Sequence, residues 1–90
     1  MAIAILSHTP GGTKEQYEQV LRETGASGST LAPGNLVRFA GPSEDGWLVV
    51  SVWESQEAFD QQWKKILPAR EKAGFGAPKN TVVQVHNLSK

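Results

Sequence analysis

The segment 36–53 constrains the fold of this chain more than any other. Two strand-like runs, residues 36–40 (LVRFA) and 47–53 (WLVVSVW), flank Gly41-Pro42-Ser43-Glu44-Asp45-Gly46, whose closing Asp-Gly pair is a good hairpin signal. A loop symmetric about its centre puts Arg38 across from Val49, Leu36 from Ser51 and Ala40 from Trp47, and cross-strand partners share a face. One face then carries Leu36, Arg38, Ala40, Trp47, Val49, Ser51 and Trp53. The other carries Val37, Phe39, Leu48, Val50 and Val52, without one polar side chain. A hairpin that is apolar on both faces needs a cover on both.

The flanking segments supply the first cover. Residues 2–9 are β-rich, with Ile3 and Ile5 at alternate positions, and end at Pro10-Gly11-Gly12. Thr13 and Gln16 make a capping box, and Tyr17, Val20 and Leu21 follow at helical spacing until Thr24-Gly25 stops the helix. Residues 25–34 (GASGSTLAPG) have no periodicity and read as a loop or a lid. Ser55 caps a second helix with Glu57 in its first turn, and Phe59, Trp63, Ile66 and Leu67 form one apolar stripe. Pro68 is expected to kink or end that helix, with room for a further turn before Gly74. Residues 81–88 alternate loosely through Val83 and Val85 and read as a fourth strand.

The order is βαββαβ, an α+β ferredoxin-like arrangement with a four-stranded antiparallel sheet, expected in strand order 4-1-3-2 as a single domain over residues 1–90. Right-handed crossovers place both helices on one side of that sheet and leave the other side bare. Exposing three or four Val, Leu or Phe side chains there forfeits roughly 5 to 10 kcal/mol at ~1.5 to 3 each, comparable to a domain's whole stability of ~5 to 15 kcal/mol. A second copy of the chain is the simplest cover, so a homodimer is expected. A fold that covers both faces within one chain is the alternative.

Composition narrows the function classes. Nine basic and nine acidic residues balance to zero formal charge, which gives no global field for nucleic acid or an anionic membrane. The absence of cysteine removes disulfides, thiolate nucleophiles and Cys-based metal sites. The apolar start at residues 2–6 is too short for a membrane span and lacks the pattern of a signal peptide, so a cytoplasmic location is expected.

Val52-Trp53-Glu54-Ser55, Glu57-Ala58-Phe59 and Val85-His86-Asn87 together resemble the dimeric α/β-barrel superfamily that includes the antibiotic biosynthesis monooxygenases. The likeness runs from about residue 36 to 88 and rests chiefly on the strand-to-helix junction. It implies two ferredoxin-like subunits joining their sheets and, in enzymatic members, oxidation of polycyclic phenols by O₂ without metal or flavin. Ser51 stands where such members often carry a carboxylate, and Gln62 where they often carry a histidine.

Acid–base chemistry near neutrality falls naturally to His8 and His86. With strand four antiparallel beside strand one, His86 lies near the start of strand one and His8 at its far end, so the two do not meet in one chain. That argues against a two-histidine metal site, and no Asp/Glu cluster replaces it. His86 is expected at the sheet end that holds Trp47 and Ala40, near Arg38. A mid-strand guanidinium costs several kcal/mol unless paired; for Arg38 the anion is a ligand's enolate or carboxylate, or a Glu or Asp from a helix or from the partner subunit.

Tyr17, Trp53, Phe59 and Trp63 form either plain core or an aromatic wall for a flat ring, with Trp47 and His8 completing the candidate ligand-binding set. Lys64-Lys65 with Arg70-Glu71-Lys72 reads as a solvated helix end whose cations offset the macrodipole.

These features lead to a cofactor-independent, monooxygenase-like enzyme for a small aromatic or polyketide-like substrate, with His86 as base and Arg38 stabilising the anion. The alternatives are a non-catalytic dimeric ligand-binding or assembly module, and an isomerase or cyclase using the same pocket.

Overall fold

The computed structural model describes residues 2–26 and 30–88. Its elements run β1 (Ile3–Pro10), α1 (Lys14–Thr24), β2 (Asn35–Ser43), β3 (Gly46–Trp53), α2 (Gln56–Ala73) and β4 (Lys79–Gln84). All pairings are antiparallel, in the order β2-β3-β1-β4. This is the ferredoxin-like order expected from the sequence. The centre of the 25–34 loop, residues 27–29, lies outside the described residues, and so does the question of a lid.

Local chemistry sets both helix boundaries. The Gln16 amide N–H donates to Thr13 Oγ1 at 3.2 Å while the Thr13 N–H donates to Gln16 Oε1 at 3.0 Å, so two otherwise orphaned donors are satisfied. Ser55 Oγ accepts from the Ala58 N–H at 3.1 Å. Each helix ends on a left-handed glycine, Gly25 or Gly74. Gln16 also donates from Nε2 to the Gly74 carbonyl at 2.9 Å, tying the start of α1 to the end of α2.

Pro68 does not end α2, which continues for more than a turn to Ala73. The proline is exposed, so the Lys64 carbonyl that loses its i+4 donor lies on the water side of the helix.

The hairpin turns more tightly than a symmetric six-residue loop. Only Glu44 and Asp45 lie between the paired residues Ser43 and Gly46, and Arg38 faces Ser51 rather than Val49. A displacement of two residues preserves parity, so both face sets survive it. Leu36 is the exception: a bulge between Asn35 and Val37 puts Asn35 opposite Trp53. Asn35 Nδ2 donates to the carbonyls of Val37 and Val52 at 3.0 and 2.9 Å, satisfying acceptors around the break in the ladder.

Between sheet and helices, Ile3, Ile5, Trp53 and Phe59 form one buried cluster, and Val20, Trp47, Ala69 and Phe75 another. Among the described residues no helix lies over the opposite face. Phe39 is 62% exposed and Leu6 36%, with Leu48 and Val50 half-buried between them. Val83, also on that side, is exposed.

Candidate functional site

A cavity of about 80 Å³ lies between the helices and the covered face of the sheet. One water needs ~10 to 15 Å³ on this scale, so the space admits several atoms beyond a trapped solvent molecule. Strand alternation brings Ile5, Ser7, Arg38, Val49, Ser51 and Trp53 to its floor. Helical spacing on α2 brings Phe59, Gln62, Trp63, Ile66 and Arg70 to its roof, and Tyr17 and Val20 of α1 close the side. Phe59 stacks on Trp63 with centroids 5.6 Å apart, and Trp53 meets Phe59 edge-on at 5.6 Å.

Within this apolar shell a few polar groups converge. Trp53 Nε1 donates to Ser51 Oγ at 2.9 Å, which leaves the serine's own proton available to an acceptor in the cavity. Arg38 donates from Nη2 to the Ala26 carbonyl at 3.1 Å. Burial raises the Tyr17 phenol above its ordinary range; the nearby Arg38 charge pulls it down, and Glu18 adds a smaller upward push.

Arg70 is the least expected member. It is only 6% exposed, and it donates from Nη2 to Thr9 Oγ1 at 2.6 Å and to the Gly76 carbonyl at 2.7 Å. Its guanidinium lies 4.1 Å from the Phe75 ring centroid and 5.8 Å from that of Trp63. Desolvation lowers its pKa to about 10, so it remains a cation at neutral pH. All its partners are neutral.

Among the described residues, Tyr17, Arg38 and Arg70 are the only titratable side chains that line the cavity. Two fixed positive charges therefore face a space into which no carboxylate or histidine of the described residues projects.

The expected site residues divide in two. Arg38, Tyr17, Trp53, Phe59 and Trp63 share the cavity wall. His8, Trp47 and His86 do not. His8 pairs with Leu48 in the sheet and points to the bare face, where Nε2 lies 2.9 Å from Asp45 Oδ1 and 3.1 Å from Ser43 Oγ. Trp47 packs with Val20, Ala69 and Phe75 and supports Tyr17 from behind, with ring centroids 5.5 Å apart.

The expectation that His86 stands beside Arg38 at the Trp47 end is corrected. β4 stops at Gln84, Val85 donates to the Ala2 carbonyl at 3.0 Å, and β1 begins opposite Trp53, so exposed His86 lies at the other end of the sheet. Two strands separate β4 from β2.

The reading of Arg70 as part of a solvated helix end is also corrected. Its place on the wall was foreshadowed by the spacing, since it follows Ile66 by four positions and Trp63 by seven on a helix that runs past Pro68. Gln62, buried on the same stripe, is the other residue that an apolar pattern passes over.

No protein-family model matches the chain, and no curated protein matches it in sequence. Similar solved structures do exist. A Chloroflexus aurantiacus protein provisionally assigned as an antibiotic biosynthesis monooxygenase superposes with a TM-score of 0.62 at 17% identity, covering 99% of this chain and 98% of its own. A monooxygenase from the ActVA-Orf6 gene of Streptomyces coelicolor, in complex with nanaomycin D, gives 0.61 at 21% identity over 99% and 90%. A Deinococcus radiodurans protein with the same provisional assignment gives 0.62 at 13% over 100% and 97%. The chain thus has the ferredoxin-like fold of the antibiotic biosynthesis monooxygenase-like proteins, from end to end.

Proposed function

We propose that the cavity binds a small planar phenol as its anion and that the chain, as a homodimer, promotes oxidation of that anion by O₂ without a cofactor. The observation that carries this reading is the pair of guanidinium groups, Arg38 and Arg70, on an aromatic wall that no acidic side chain joins among the described residues. Arg70, held away from water by neutral partners, gains most from an anionic ligand. The similar fold of a monooxygenase crystallised with nanaomycin D supports the choice of a ring-shaped ligand.

The chemistry follows from that charge pattern. Two nearby cations lower the pKa of a bound phenol, so its proton departs to solvent through the cavity mouth and no histidine base is required. The electron-rich phenolate reduces O₂: a new C–O bond at a hydrogen-bearing carbon ortho or para to the phenolate oxygen, with one proton returned from solvent, gives a ring hydroperoxide. Loss of water from it leaves a quinone. One oxygen atom ends in the ring and the other in water, and the ring supplies all the electrons. Phe59, Trp63 and Trp53 keep the reacting face dry, and Ser51 offers a hydroxyl donor to the oxygen that gains charge.

2-Naphthol is a suitable first probe. When bound at neutral pH it should show the red-shifted absorption of its anion, and Arg70→Gln should weaken binding by about tenfold or more, on the scale of a charge-assisted hydrogen bond. Binding with the spectrum of the neutral phenol would sink the anion reading. Bound anion with no oxygen uptake, for 2-naphthol and for hydroxylated naphthalenes alike, would reduce the protein to a binding module. The homodimer rests on the bare apolar face, which a second neutral copy can cover without charge repulsion.

A further inference from the structure

Gln62 lies on α2 between Phe59 and Trp63 and is 7% exposed, yet among the described residues its side chain has no hydrogen-bond partner. It lines the cavity beside apolar rings and Ile66. Among the described residues only Trp47 Nε1 is both sealed from water and unpaired, so the Gln62 amide, with no protein partner, opens into the cavity. Apolar residues of similar size would fill the same place, and the helix propensity of glutamine is no better than that of leucine, so neither packing nor helix formation calls for an amide there. The position makes chemical sense if the missing partner is the ligand.

A carboxamide presents an acceptor and a donor side by side. Its complement is a group with a donor and an acceptor on neighbouring atoms. On a ring bound as an anion beside Arg70, that means two adjacent oxygens, one ionised and one still protonated. The amide N–H₂ donates to the ionised oxygen and the amide carbonyl accepts from the hydroxyl.

We infer that Gln62 is a specificity-determining residue that selects arenes carrying oxygens on two adjacent ring positions over arenes carrying one. The inference rests on the phenolate-binding reading above and names its substrate class more narrowly. Gln62 performs no proton transfer and takes no part in the oxygen chemistry; it favours the dioxygenated ring because a mono-oxygenated ring brings no hydroxyl for the amide carbonyl to accept from.

The test compares 2,3-dihydroxynaphthalene with 2-naphthol, bound without oxygen and followed by calorimetry. The native chain should bind the diol at least tenfold more tightly. Gln62→Leu should bring the two affinities to within about twofold, by weakening the diol much more than 2-naphthol. Equal affinities in the native chain, or a preference that persists in Gln62→Leu, overturns the assignment while the phenolate reading stands. If neither compound binds the native chain, the phenolate reading itself fails. Should Gln62→Leu not fold, Gln62→Met serves the same comparison.

Discussion

Tyr17 gives the most direct access to the electrostatics of the cavity, because it is the only tyrosine in the chain and its ionisation can be read by ultraviolet absorption. Burial raises its pKa and Arg38 restrains the rise, so the native chain should titrate above 10 and Arg38→Met should titrate higher still. The sign for stability follows. The native state holds this proton to higher pH than the unfolded state, so this tyrosine's contribution is complete below about pH 10 and declines as pH rises from there toward the folded pKa. Denaturant titrations at pH 9 and pH 11, compared with Tyr17→Phe, isolate that slope. An absorption midpoint at or below 10 would show that the ring is not enclosed as described.

At the scale of elements, the junction at Gly34 and the proline in α2 make opposite predictions. Gly34 has φ +80, and a Cβ there would lie 2.6 Å from Ala58 Cβ, where β2 begins beside the first turn of α2. Gly34→Ala should therefore destabilise by on the order of 2 kcal/mol, through both backbone strain and the clash. Pro68→Ala should do the reverse. It restores the donor to the Lys64 carbonyl on an exposed side of α2 and should stabilise by about 1 kcal/mol or more, partly offset by the greater freedom of the unfolded chain. In a domain of this size each kcal/mol is worth ~4 to 8 °C in Tm, so thermal melts resolve both effects. An unchanged or lower Tm for Pro68→Ala would mean that the proline favours the folded state.

At the scale of the whole molecule, the bare face is the dominant unsatisfied feature. Val37, Phe39, Leu48 and Val50 lie on it together with Leu6 from β1, and Phe39 is 62% exposed. Phe39→Lys should leave the protomer folded, since that side chain is outside both buried clusters, and should shift the mass in light scattering from twice 9.7 kDa to 9.7 kDa. A native chain that is monomeric at micromolar concentration would refute the homodimer. His8, with Asp45 and Ser43 beside it, lies on this same face and belongs to the interface question rather than to the cavity.

Much of the fold was legible because its signals act over a few residues. The Thr13–Gln16 box, the Ser55 cap, the two terminal glycines and the alternation in β2 and β3 each depend on neighbours in the chain, and parity survived a two-residue error in hairpin register. The aromatic half of the site was legible for the same reason, as one stripe on α2 meeting one face of β3. Arg70 was hidden: charged side chains are usually solvated, and Pro68 suggested that the stripe had ended before it.

His86 was misplaced because its position depends on where β4 stops and on which end of β3 faces the start of β1. Those are long-range facts with no local trace. By itself, then, the sequence determined the order of elements and the two apolar faces, since periodicity is a property of the backbone's own repeat. Only the tertiary structure decided which polar groups share the cavity, because that depends on register across strands and on the phase of a helix that runs through its proline.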